Sequence, residues 1–288
     1  MKHDVRFVTC IYDDLHDTKF RGRLNRGVHY GFSLSQLAMM NAPFYCFTDK
    51  INFYKFAPLM ALHDIENVKF YQYDLNKYPL TEKIEAVRNS NPGLYRNSPS
   101  WNLRCVEIMW AKFNWINYVC ENLLEKETMI YWIDVGLSHD GVIPKRYNSV
   151  YKTKKYNNEA HEYHHRFYND LLFDEQFPEL LAEYTGKDKV LNFVSTHPQH
   201  SDEFTLKLEK KHFIGTAIGG LFGGNSELMN HIAKEGMAVC NQLLETECLV
   251  KEEDILTYIL NKKHLENGNL DDHKIYLFDT WYHEDWNV

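Results

Sequence analysis

Hydrophobic positions along the chain alternate between two spacings. The runs VRFVTCIY (5–12), PFYCFTD (43–49) and VKFYQYD (68–74) read as strands, and helical spacing appears between them near 29–41 and 51–63. Strand and helix in this order predict a parallel sheet with helices on its faces. A loop rich in turn formers, RNSNPGLYRNSPS (88–100), precedes a long helix from about Trp101 to Glu125. The apolar run TMIYWID (128–134) then follows as a fourth strand after a covered crossover.

The second half is less regular. Residues 144–184 are polar and aromatic with helical stretches, KVLNFVST (189–196) reads as a strand, and HPQHSDEFTLKLEKKH (197–212) reads as an exposed excursion. TAIGGLFGGNSELMNHI (216–232) is a glycine-punctuated strand running into a helix, with Asn225 as N-cap and Glu227 in the first turn. Another helix begins at KEEDILTYIL (251–260), and KIYLFDTWYHEDW (274–286) supplies a last strand and an aromatic tail. With no repeat, low-complexity tract or linker in view, the expectation is one α/β domain with inserted loops.

Composition narrows the function classes. At 44% hydrophobic and 25% charged, the 288 residues match a globular protein with a sizeable core. Aromatics reach 15%, and Tyr and Trp line sites that stack bases or sugars as well as cores. A net charge of −8 with no clustered Lys and Arg argues against nucleic acid as partner. Six cysteines without metal spacing read as reduced core thiols. MKHDVRFVTCIYDD reaches a strand pattern at once, and no apolar run approaches the ~20 residues of a membrane span, so the expectation is a soluble, cytoplasmic protein without signal peptide or transmembrane segment.

Candidate chemistry gathers at strand ends, where open α/β sheets bind ligands. Asp13, Asp49, Asp74 and Asp134 each follow an apolar strand; for the first three, turn formation accounts for the acid. Asp134 is followed by Gly136, which permits close backbone approach, and by Ser138, His139 and Asp140. A diphosphate held through Mg²⁺ or Mn²⁺ needs such a hard oxygen ligand. In RGRLNRG (21–27), Arg21, Arg23 and Arg26 suit phosphate oxygens, and a solvated basic loop reads equally well. Lys112 has only apolar helical neighbours (Cys105, Ile108, Met109, Trp115, Ile116, Val119), so it must snorkel or meet an anion such as Asp134 or a phosphate.

GGLFGG (219–224) is neither a GxxxxGK[ST] loop nor a dinucleotide fingerprint; it suggests backbone that a bulky ligand approaches, or a tight bend with a bulge. In Glu252, Glu253 and Asp254 the helix dipole alone favours acids, while clustering raises carboxyl pKa values toward those of a general base. Periodicity does not choose among the three. HEYHH (161–165) carries the letters of a zinc hydrolase motif in a weakly apolar setting, which keeps a zinc hydrolase as an alternative.

Taken in order, FVTCIYD, RGRLNRG, FYCFTD, WNLRCVEIMWAKFNWI, YWIDVG and GGLFGGNSELM resemble the HtrL/YibB-like bacterial proteins, which look like glycosyltransferases of the GT-A fold associated with surface polysaccharide assembly. The resemblance implies a GT-A-like, Rossmann-like, mostly parallel sheet with helices on both faces in a single domain. Residues 1–140 would form the nucleotide-sugar-binding half and 141–288 the acceptor half. It implies a sugar-nucleotide donor, UDP-linked, and an acceptor glycan or lipid-linked glycan of lipopolysaccharide, lipooligosaccharide or capsule. Such an acceptor places the protein in the cytoplasm or at the cytosolic face of the inner membrane.

The family's DxD motif would fall on Asp134, although this sequence reads Asp134-Val135-Gly136 and lacks the second acid. Mn²⁺ or Mg²⁺ would be the cofactor, with His283 as the late metal-binding histidine and His273 its alternative. The glycine loop would be Gly219 and Gly220 onward, and the xED motif would end on Asp254, supported by Glu253, as base in an inverting reaction. Tyr12 and Asp49 would lie near base or ribose, Arg23, Arg26 and Lys112 near the diphosphate, and Asp134 with Gly136 at the donor. A non-catalytic nucleotide-sugar or glycan binder is the alternative from another class.

Overall fold

The computed structural model of the protein describes residues 4–12, 26–95, 102–125, 127–135, 177–185, 190–195, 216–267 and 275–277. Strands β1 (Val5–Cys10), β2 (Phe44–Thr48), β3 (Val68–Gln72), β4 (Met129–Ile133), β5 (Val190–Ser195), β6 (Thr216–Asn225) and β7 (Ile275–Leu277) form one sheet. Their spatial order is β3-β2-β1-β4-β6-β5-β7. Pairing is parallel from β3 through β2 and β1 to β4, and again between β5 and β7; β6 runs antiparallel to both its neighbours. Among the described residues this is the expected α/β class, a mostly parallel central sheet packed with helices.

The helices are α1 (Arg26–Ala38), α2 (Lys50–Leu62), α3 (Thr81–Ser90), the single turn α4 (Pro92–Tyr95), α5 (Leu103–Asn122), α6 (Phe177–Thr185), α7 (Ser226–Glu245) and α8 (Glu252–Asn267). They cover both faces, which is why β4 is buried at every position rather than at alternate ones. Its Ile130 and Trp132 join Trp110, Trp115, Met229 and Ile255 of α5, α7 and α8. Met129, Tyr131 and Ile133 point the other way, to Phe7, Leu37, Phe177 and Leu181. Helix α7 starts where expected, its N-cap Asn225 accepting from the Glu227 N–H at 2.9 Å.

The segment 88–100 departs from its reading as a loop. Within its described part, α3 closes and α4 begins on Pro92, a first-turn position where the missing N–H is not needed. Helix α3 escaped notice because, in a largely polar sequence, only Ile84 and Val87 are buried. None of the six cysteines, all of them described, forms a disulfide. Among the described residues no helix is long and apolar enough to cross a membrane.

Candidate functional site

Strands β1, β2 and β3 end side by side, and the acids after β2 and β3 do local work first. Asp49 caps α2, one carboxylate oxygen accepting from the Asn52 backbone N–H at 2.8 Å and the other from the Asn52 side chain at 2.9 Å. Asp74 accepts the Asn76 N–H at 3.0 Å and opens a 3₁₀ turn over Leu75–Lys77. Both residues also line a cleft of about 620 Å³ that Tyr12, Gln72, Tyr73, Lys50, Lys77 and Arg104 help to enclose. Tyr12 is a wall: only 3% exposed, its hydroxyl donates to the Tyr73 carbonyl at 2.9 Å and its ring stacks on Trp115.

Arg104 is the cleft residue that the sequence did not disclose. It lies in the first turn of α5, where its Nη1 donates to Glu107 Oε2 at 2.7 Å and its Nη2 donates to Asn76 Oδ1. Glu107 is fully buried and also accepts from Thr81 Oγ1 at 2.5 Å. The i,i+3 spacing of Arg104 and Glu107 was a visible signal, but an ordinary one.

Beside this cleft, at the end of β4, charges meet inside the protein. The Lys112 Nζ donates to Glu252 Oε1 at 2.6 Å and to the Gly219 carbonyl at 3.2 Å, and pairs with Asp134 Oδ1 at 3.1 Å. It also lies 5.0 Å from the centre of the Trp132 ring. Burial works against the ammonium, but Asp134 and Glu252 outweigh it and hold the Lys112 pKa above its ordinary value. Asp134 Oδ1 accepts from Trp132 Nε1–H at 2.7 Å, and the Asp134 N–H donates to the Gly220 carbonyl at 2.8 Å. Desolvation lifts the Asp134 carboxyl, Lys112 opposes and Glu252 adds; since 39% of this side chain is exposed, water screens the shift.

Strand β6 and helix α8 complete the cluster. A Cβ on Gly219 would lie 2.6 Å from Glu252 Oε1, so the missing side chain is what admits this carboxylate to the ammonium. A Cβ on Gly223 would lie 2.3 Å from the Ile130 carbonyl oxygen. The close approaches in GGLFGG are thus internal, made within strand β6 where its register against β5 shifts between Phe222 and Ala217, as the bulge reading expected, and they account for Gly219 and Gly223 without a ligand.

The three acids at the start of α8 separate in role. Glu252 is buried on Lys112; Asp254 is buried and turns back to the Lys251 N–H at 3.2 Å, as a first-turn acid does. Glu253 is half-buried with Oε1 at 3.4 Å from the Gly219 N–H. Burial and then Glu252 push its pKa up to about 7, against Lys251, the Gly219 N–H and Lys112.

The structure therefore brings together Lys112, Asp134, Gly219, Gly220, Glu252 and Glu253, with Tyr12 and Asp49 in the neighbouring cleft. Lys112 does not present a free ammonium to a diphosphate, because its three N–H donors already face three acceptors. Arg23, Gly136, His273, His283 and the HEYHH segment lie outside the described residues, as does the side chain of Arg26. Among the described residues no cluster of three His, Cys, Asp or Glu side chains could hold a metal ion.

No protein-family model matches the sequence, and no curated protein matches it. Among solved structures the chain is similar to the galactosyltransferase LgtC in complex with donor and acceptor sugar analogues, at TM-score 0.44 and 11% identity over 88% of this chain and 70% of that one. The functional reading rests on the geometry of the site itself.

Proposed function

We propose that the protein is a glycosyltransferase that moves a sugar from a nucleotide donor, UDP-linked, to a bacterial surface glycan, free or lipid-linked, with inversion. The observation that carries this reading is the cleft at the carboxyl ends of three parallel strands, where Lys50, Lys77 and Arg104 stand beside Asp49 and Asp74, next to the strand end bearing Asp134. Cations suit a diphosphate, and paired acids suit ribose hydroxyls. On this reading residues 1–140 hold the donor, with Tyr12 and Asp49 toward base and ribose, Arg23, Arg26 and Arg104 toward the diphosphate, and Asp134 toward the ribose or sugar. Residues 141–288 hold the acceptor.

Glu253, rather than Asp254, is the base we favour, because Asp254 is buried on its own helix while Glu253 is partly accessible with a pKa near neutrality. Glu253 takes the proton of an acceptor hydroxyl as that oxygen bonds to the anomeric carbon. The bond from that carbon to the diphosphate oxygen breaks, its electron pair leaves with the diphosphate, and the cleft cations stabilise the charge.

A thermal-shift screen of nucleotide sugars tests the proposal. Stabilisation by one of them, with donor hydrolysis that disappears in Glu253→Gln, supports the enzyme. Stabilisation without turnover supports a nucleotide-sugar binder instead, and no stabilisation by any donor overturns both.

A further inference from the structure

The GT-A resemblance expects Mn²⁺ or Mg²⁺ at Asp134, and the described residues do not fit an ion there. Two carboxylate oxygens, from Glu252 and Asp134, and the Gly219 carbonyl oxygen converge on one point at 2.6, 3.1 and 3.2 Å. Hard oxygen donors of this kind are what a divalent cation takes. The point already holds a cation, the ammonium of Lys112. The lysine stem comes in along the apolar face of α5, with the residue 3% exposed, and the Trp132 ring lies 5.0 Å from Nζ. Gly219 leaves room for the Glu252 carboxylate to reach it. A metal ion bound through Asp134 would lie against a fixed positive charge whose three donors are all in use.

We infer that Lys112 is the resident cation of this site: its ammonium fills, from within the chain, the position that Asp134, Glu252 and the Gly219 carbonyl would offer a metal ion, so the protein takes no divalent ion through Asp134. That donor binding is consequently insensitive to chelators rests on the transferase reading. The arrangement of the cation does not.

Terbium(III) tests the inference, because an indole ring this close to the site excites a bound lanthanide. The full-length chain is titrated with terbium under tryptophan excitation, and with Mn²⁺ against EDTA in thermal unfolding. Wild type is expected to show no sensitised emission that depends on Asp134, and no Mn²⁺-dependent rise in Tm that is lost in Asp134→Asn. Replacing Lys112 frees the oxygen donors, so Lys112→Ala is expected to bind terbium about tenfold or more tightly than wild type, as adding free carboxylate ligands to a site does. This gain should vanish in Lys112→Ala/Asp134→Asn.

Wild-type emission or Mn²⁺ stabilisation abolished by Asp134→Asn overturns the inference, as does a folded Lys112→Ala variant with no gain. If Lys112→Ala does not fold, the comparison of wild type with Asp134→Asn decides alone. Failure of every nucleotide sugar to bind would sink the transferase reading and leave the terbium result standing.

Discussion

The cleft at the ends of β1–β3 and the charged cluster at the end of β4 are neighbours built from the same residue types, used in opposite ways. In the cleft, Asp49 and Asp74 are anchored by local caps and Arg104 by Glu107, yet all three also line open space. In the cluster, Lys112 meets Asp134, Glu252 and the Gly219 carbonyl, and its charge is consumed inside the fold. The first arrangement leaves hydrogen-bonding capacity for a ligand; the second fixes two carboxylates and tunes a third. A lysine on an apolar helix face is therefore weak grounds for a phosphate site until its partners are known.

The largest expected effect breaks the cluster. Lys112→Met leaves Glu252 buried without a counter-charge and should lower unfolding free energy by about 3–5 kcal/mol, read from the denaturant midpoint. Adding Glu252→Gln removes that uncompensated charge, so the double variant should recover a large part of the loss. A loss below about 1 kcal/mol in the single variant would mean that the pair behaves as a solvated surface bridge.

The next effect tests packing rather than charge. Gly219→Ala places a Cβ 2.6 Å from Glu252 Oε1 and forces the carboxylate off Lys112, for a loss of about 2–3 kcal/mol. Gly93, where a Cβ meets nothing within 4 Å, is the internal control: Gly93→Ala in α4 should change stability by no more than about 1 kcal/mol, in the favourable direction. Equal losses at both glycines would show that backbone conformation, not the Glu252 carboxylate, is what Gly219 serves.

A smaller effect depends on pH. Folding raises the Glu253 pKa from 4.5 to about 7, so between those values the folded chain keeps a proton that the unfolded chain has released. The stability this contributes is fully present below the unfolded pKa and is lost as pH rises toward about 7. Partial exposure and coupling to Glu252 reduce the expected loss to about 1–2 kcal/mol. Glu253→Gln should remove this component, so the stability of wild type relative to the variant falls across that window. Activity should move the other way in wild type, rising as Glu253 ionises.

How much of this was legible in the sequence follows from what periodicity encodes. It records which side of an element is apolar, so the alternating strands and helices, the start of α7 at Asn225 and the apolar flank of Lys112 could all be read. It does not record which elements meet. Lys112 and Glu252 are separated by 140 positions, and their contact depends on β6 entering antiparallel between β4 and β5, which no local pattern announces. The glycines of GGLFGG were conspicuous, but the reasons for two of them, Glu252 above Gly219 and the β4 backbone beside Gly223, exist only once strand and helix are placed. Arg104 was hidden for the same reason: its partner Asn76 lies 28 residues away, after a different strand.

The smallest expected effect on stability is also the sharpest statement about the cleft. Lys50 and Lys77 line it, and among the described residues neither makes an ion pair. Truncating either to alanine should therefore change unfolding free energy by no more than about 0.5 kcal/mol. If these ammonium groups meet the diphosphate of the donor, the same variants should weaken UDP binding by about three- to tenfold in calorimetry, corresponding to the loss of a partly solvated ionic contact. Asp49→Ala is a poor substitute for this test because it also removes the cap of α2, mixing fold with function. Unchanged UDP affinity in both lysine variants would move the diphosphate away from this wall of the cleft.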